Sequence, residues 1–156
     1  MLIYRGFDVN TLDQRGRTAI SHAAERGHMG ATTVLVKHGA DINMIEGRGR
    51  TPLSYAAANG YTEVVQELLT AGAQVECQRE RKHYDSPLLL ATAGGYHDVA
   101  MKLLEHGAVV YHKGRQRRTP LSHAAEKSDN GKLVRLLLPR RADACIRGIR
   151  NRTPLH

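Results

Sequence analysis

The chain has 156 residues, 41% of them apolar and 24% charged, and its 23 Lys and Arg outnumber 15 Asp and Glu for a net charge of +8. That size and mixture suit one ordinary globular domain, and no stretch reaches the roughly 18 apolar residues that a membrane span needs. The two cysteines, Cys77 and Cys145, stand far apart without a partner spacing, which argues against a disulfide framework and against a zinc site and leaves two free thiols.

From the first residue onward, Met1 is followed by LIYRGFDVN, which carries no basic leader, long apolar core or cleavage site, so a cytoplasmic or nuclear protein is expected. Residues 1–10 read as the tail of an earlier unit, with LIYRG in its second helix. Next comes GRTAISHAAERGH from Gly16, a phrase restated as GRGRTPLSYAAANGYTEVVQELLTAGA over Gly47–Ala73 and as RRTPLSHAAEKSD from Arg117. Aligned on the residue that opens each phrase, the units start at Thr18, Thr51, Ser86, Thr119 and Thr153, spaced by 33, 35, 33 and 34. A second marker keeps the same period: Gly39, Gly72 and Gly107 precede alanine, Gly6 precedes Phe7, and Arg141 replaces the glycine. A repeat of this length indicates stacked supersecondary units.

Within a unit, the hydroxyl of Thr51 or Thr119 suits a helix N-cap, and Pro52 or Pro120 sits where a missing N–H costs nothing. Leu53, Ala56 and Ala57 form an i, i+3, i+4 stripe whose alanines allow close helix approach. After a glycine, Val64, Val65, Leu68 and Leu69 predict a second helix that stops at Gly72, and a polar hairpin-like loop leads to the next unit. Two short helices cannot bury such stripes alone, so the units must stack into a solenoid with a continuous core.

These phrases, RTPLSYAAANGYTEVVQELLTAGA and RTPLSHAA above all, resemble the ankyrin repeat. The resemblance covers essentially the whole chain and implies an all-α solenoid of helix pairs joined by β-hairpin-like loops, with full units at 11–43, 44–76, 77–111 and 112–145 and partial ones at 1–10 and 146–156. Because the outer phrases break off mid-unit without polar caps, a piece of a longer array or multidomain protein is expected.

Departures from the pattern mark weak points. Ala31 and Thr32 stand where the second unit has Val64 and Val65, which predicts a softer first unit. The third unit's loop, CQRERKHYD, is two residues longer and is expected to protrude, while Leu89 and Leu90 extend an apolar helix start. In the fourth, KSDNG carries an extra residue, Pro139 is expected to end the second helix early, and Arg141 takes the left-handed cap, so this end should open first.

Charge is the most specific functional datum. The loop windows 11–17, 44–50, 77–85, 112–118 and 146–152 hold 14 basic residues against 4 acidic ones, or +10, whereas the rest holds 9 against 11, or −2. Arg15, Arg17, Arg48, Arg50, Arg79, Arg81 and Lys82 belong to the first three windows, and Arg115, Arg117 and Arg118 to the fourth. Stacked one repeat apart, they predict a basic ridge that steers acidic partners and weakens with salt. The family resemblance adds the two helix positions after each Ala-Ala pair as contact sites: Glu25, Arg26, Ala58, Asn59, Gly94, Glu126 and Lys127. It implies a monomeric, non-catalytic module that binds a protein partner on the concave loop and first-helix face, here an acidic segment. Nucleic acid is the alternative, since clustered arginines neutralise phosphate, but 4% aromatic content supplies few stacking platforms and no nucleic-acid motif is present. A third reading makes the chain the targeting arm of an enzyme whose catalytic domain lies elsewhere.

His22, Tyr55 and His123 share one helix position, with Leu90 in the third unit, and read as inter-repeat packing; the histidine spacings are not those of metal ligands. His38 and His106 suit helix C-termini. No phosphate loop, nucleophile elbow or metalloprotease helix occurs, and Ser21, Ser54 and Ser122 read as helix-start residues, so no catalytic residue, metal or cofactor is expected. Thr119 after two arginines, Asn151-Arg152-Thr153 and GRQRR match modification and address signals too short to weigh.

Overall fold

A computed structural model describes residues 6–47, 49–76, 84–128 and 131–149, with side chains described up to Arg140. The helices are α1 (Ala19–Glu25), α2 (Met29–Lys37), α3 (Pro52–Asn59), α4 (Thr62–Thr70), α5 (Pro87–Gly94), α6 (His97–Glu105), α7 (Pro120–Ala125) and α8 (Lys132–Ile149). Among the described residues there is no strand, only an isolated antiparallel bridge between Glu46 and Arg50.

Each first helix starts as its phrase predicts. The hydroxyls of Thr18, Thr51, Ser86 and Thr119 accept the N–H three residues on, and proline occupies the first turn of α3, α5 and α7. In α3 and α7 the cap is reciprocal: the hydroxyls of Ser54 and Ser122 accept the N–H of Thr51 at 2.9 Å and of Thr119 at 3.0 Å.

The first helices stack in the order α1, α3, α5, α7 and the second helices in the order α2, α4, α6, α8. Ala24, Ala56, Ala57, Ala91 and Ala124 are buried between first helices. Leu53, Leu68, Leu88, Leu103 and Leu133 are fully buried, each side chain contributing about 1.5–3 kcal/mol of transfer free energy. Tyrosines lock neighbouring pairs together: the Tyr61 ring lies on Gly27 and the Tyr96 ring on Gly60 and Gly94, places that leave no room for a Cβ.

A polar ladder runs along the loops. The side-chain oxygens of Asn10, Asn43 and Glu76 accept the backbone N–H of Asp41 (2.7 Å), Gln74 (2.8 Å) and Val109 (3.0 Å), each in the following unit. The matching residue of the third unit is Tyr111, which is 63% exposed.

The first unit buries less, as Ala31 and Thr32 suggest. Ala31 is exposed, Thr32 returns its hydroxyl to the His28 carbonyl at 3.0 Å, and Leu35 and Val36 are half-buried where Leu68 and Leu69 are buried. The fourth unit corrects an expectation: Pro139 does not end the second helix, because α8 continues through it to Ile149. Proline removes one N–H from the ladder, the bond to the Arg135 carbonyl, while Arg141 in place of glycine leaves no residue suited to a left-handed stop. Residues 146–149, read as part of a loop, therefore belong to a helix. Residues 1–5 of the first partial unit, residues 77–83 of the long loop, and residues 150–156 lie outside the described residues.

Candidate functional site

The loops before α1, α3 and α7 are tight turns. The N–H of Asp13, Glu46 and Gly114 donates to the carbonyl four residues on, at 2.9, 2.8 and 3.0 Å. Asp13 also accepts the N–H of Arg15 and Arg17 and pairs with His22 Nε2 at 2.7 Å. The hydrogen bond from His22, followed by the Arg17 amide, holds its carboxyl down at about 2. At the turn tips the side chains of Arg15, Arg115 and Arg117 are exposed. Arg117 adopts φ 58° at the position that Gly16 and Gly49 fill in the first two units.

Arg17 points the other way. Its guanidinium pairs with Glu25 at 2.8 Å, approaches Glu46 Oε2 at 3.7 Å, and lies over the Tyr55 ring at 4.3 Å from the centroid. Glu46, read in the sequence as a loop counter-charge, is 2% exposed. Its Oε1 accepts from Thr18 N–H (2.7 Å), Thr18 Oγ1 (2.6 Å) and Ser21 Oγ (2.8 Å) of the preceding unit. A buried carboxylate thus replaces in α1 the serine that completes the cap in α3 and α7.

The other units vary this arrangement. Arg118 pairs with Glu126, as Arg17 does with Glu25. Beside Arg118, burial first and the guanidinium second push the His123 imidazole below its usual value. In the third unit Asp85 takes the arginine position, and its Oδ1 accepts the Arg115 N–H at 3.0 Å. The matching residue of Glu46 in the fourth unit is Gly114, whose missing Cβ makes room for Asp85 and Leu89. Arg50 lies 5.6 Å from the Tyr55 centroid.

The column of His22, Tyr55, Leu90 and His123 is half-buried along the first helices, between these loops and the positions after Ala-Ala. There Arg26, Asn59, Gly94 and Glu126 are exposed and Ala58 and Lys127 are half-buried, with the Asn59 amide returned to the Tyr55 carbonyl at 2.9 Å. Arg48, Arg79, Arg81 and Lys82 lie outside the described residues. The hydroxyls of Ser54 and Ser122 are engaged in capping, and that of Ser21 donates to Glu46. Among the described residues no group of His, Cys, Asp and Glu could hold a metal ion, and no helix is long and apolar enough to cross a membrane.

Sequence reasoning missed Glu46 as a buried link and the Asn10, Asn43, Glu76 ladder. The ladder keeps the repeat's own period and was there to be found; nothing in the residue type separates a buried loop glutamate from a solvated one.

The profile of the family described as ankyrin repeats (3 copies) matches residues 1–79 and 72–148. Among curated proteins none matches the chain. The matched spans and the four stacked helix pairs agree, and the chain belongs to the ankyrin-repeat family, whose repeats mediate contacts between proteins.

Proposed function

We propose that the chain is a non-catalytic interaction module or scaffold, part of a longer array or multidomain protein of the cytoplasm or nucleus, that binds an acidic segment of a partner protein as a monomer. The partner lies along the turn tips and the first-helix face, touching the positions after Ala-Ala. One observation carries this reading: the turn-tip cations Arg15, Arg115 and Arg117 are exposed, whereas Arg17 and Arg118 are half-buried. The ridge is therefore narrower than loop composition suggests and made of tips.

The test is binding of acidic peptides and of short DNA and RNA, single-stranded and duplex, at about 50 and 200 mM salt, by wild type and by the pair Arg115→Glu with Arg117→Gly. Peptide capture that survives the higher salt and falls in the variant supports the reading. Nucleic-acid binding with a steep salt slope would replace it with a polyanion-binding function.

A further inference from the structure

Three of the four units place arginine immediately before the helix cap: Arg17, Arg50 and Arg118. In the first and fourth, a glutamate eight residues on closes an ion pair across the first helix, Arg17 with Glu25 and Arg118 with Glu126. The second unit has Ala58 at that place. Arg17 is also backed by Glu46, five residues before the next cap; the same count back from Ser86 reaches Arg81. Among the described residues no ion pair joins the Arg50 guanidinium to a carboxylate, and it lies 5.6 Å from the centroid of the Tyr55 ring.

We propose that Arg50, Tyr55 and Ala58 form a receptor for one carboxylate of a partner protein, an Asp or Glu side chain that takes the place Glu25 holds beside Arg17 and Glu126 beside Arg118. The inference rests on the reading above and adds which residue receives the acidic segment. Three features favour a carboxylate. The chain's own pairs show that a glutamate side chain fits between this arginine and this helix position. The guanidinium keeps its charge at any working pH and presents a flat fork that suits carboxylate geometry. Arg50 is half-buried beside the Tyr55 ring, so an arriving carboxylate meets less water there than at the turn tips. In the third unit the matching floor residues are Leu90 and Ala93, which gives a segment running along the face an apolar surface next to its acid.

The experiment uses the whole chain, labelled with 15N, and titrates N-acetyl-glutamate methylamide while following arginine Nε–H resonances. A saturable shift at Arg50, with Arg17 and Arg118 unmoved, is expected. Fluorescent acidic peptides are then compared on wild type, Ala58→Glu, Ala58→Ser and Arg50→Gln. Affinity should fall about tenfold in Ala58→Glu, where the chain supplies its own carboxylate, and in Arg50→Gln, and stay unchanged in Ala58→Ser. An unchanged or higher Tm of Ala58→Glu separates plugging from unfolding. An unmoved Arg50 resonance, or wild-type peptide affinity in folded Ala58→Glu, overturns the proposal. Peptides that still bind Ala58→Glu but are lost without the Arg115 and Arg117 charges leave the broader reading standing and remove this one. Acidic peptides that bind no form of the chain remove both.

Discussion

Glu46 Oε1 and Thr18 Oγ1 lie 2.6 Å apart across the boundary between the first and second units, with the carboxylate fully withdrawn from water. Taking that carboxylate away strands the Thr18 N–H and two hydroxyls and leaves Arg17 with Glu25 alone. Glu46→Ala should cost about 3 kcal/mol in urea unfolding, and Glu46→Gln, which keeps an acceptor but loses the charge, about 1–2 kcal/mol. A Glu46→Ala protein as stable as wild type would show that the link contributes nothing.

Arg117 bears the strain of a left-handed residue in a turn whose counterparts are glycine. Arg117→Gly relieves it and should gain about 0.5–1 kcal/mol, the relief outweighing the added freedom of the unfolded chain. Arg117→Ala, which keeps the Cβ, should show no such gain. Equal stability of the two variants would contradict the argument.

Gly94 reverses a general rule. In the last turn of a helix, glycine to alanine ordinarily stabilises by up to about 1 kcal/mol. Here the new methyl meets the Tyr96 ring, which Gly60 confines on another side, so Gly94→Ala should cost about 1–3 kcal/mol. Combined with Tyr96→Ala, the same substitution should return to neutral or stabilising, and thermal melts of the four proteins in that cycle decide the matter.

Two groups contribute to the acid response. Burial and then Arg118 hold the His123 pKa below the ordinary 6.5, so its contribution is complete above 6.5 and is lost as pH falls through the lowered value. Asp13, lowered from 3.8 to about 2, contributes fully above 3.8 and loses its part as pH falls toward 2. Melting curves from about pH 8 down to about pH 3 should show His123→Leu flattening the upper window and Asp13→Asn the lower. A slope between pH 7 and 5 that His123→Leu leaves unchanged would assign the upper window to other groups.

Much of this fold was legible because the same physical demand recurs every turn of the solenoid. A cap hydroxyl, an alanine-lined helix, a glycine stop and a Val-Val-Leu-Leu stripe can be read at Thr51–Gly72 and carried to each neighbour. The helix through Pro139 was not legible, since proline's local cost argues for a break and the absence of a competing stop at Arg141 decides otherwise. For the site, residue type located the cations but not their partners. Arg17 and Arg118 read as two more members of a basic ridge until their eight-residue distance to Glu25 and Glu126 is seen to span one helix. Glu46 illustrates the harder case, a charge whose burial depends on threonine and serine in another unit.

The side-chain ladder gives the array a direction. Asn10, Asn43 and Glu76 each reach forward to a backbone N–H, and the residues that supply it, Asp41, Gln74 and Val109, have nothing in common but the peptide group. A unit is thus received by its predecessor whatever its own sequence, provided that position is not proline. Glu46 reaches backward and is selective: it needs hydroxyls at two cap positions and an arginine beside them. The first and second units accordingly form a matched pair that must be inherited together, and Asp85 with Gly114 ties the third to the fourth in the same way.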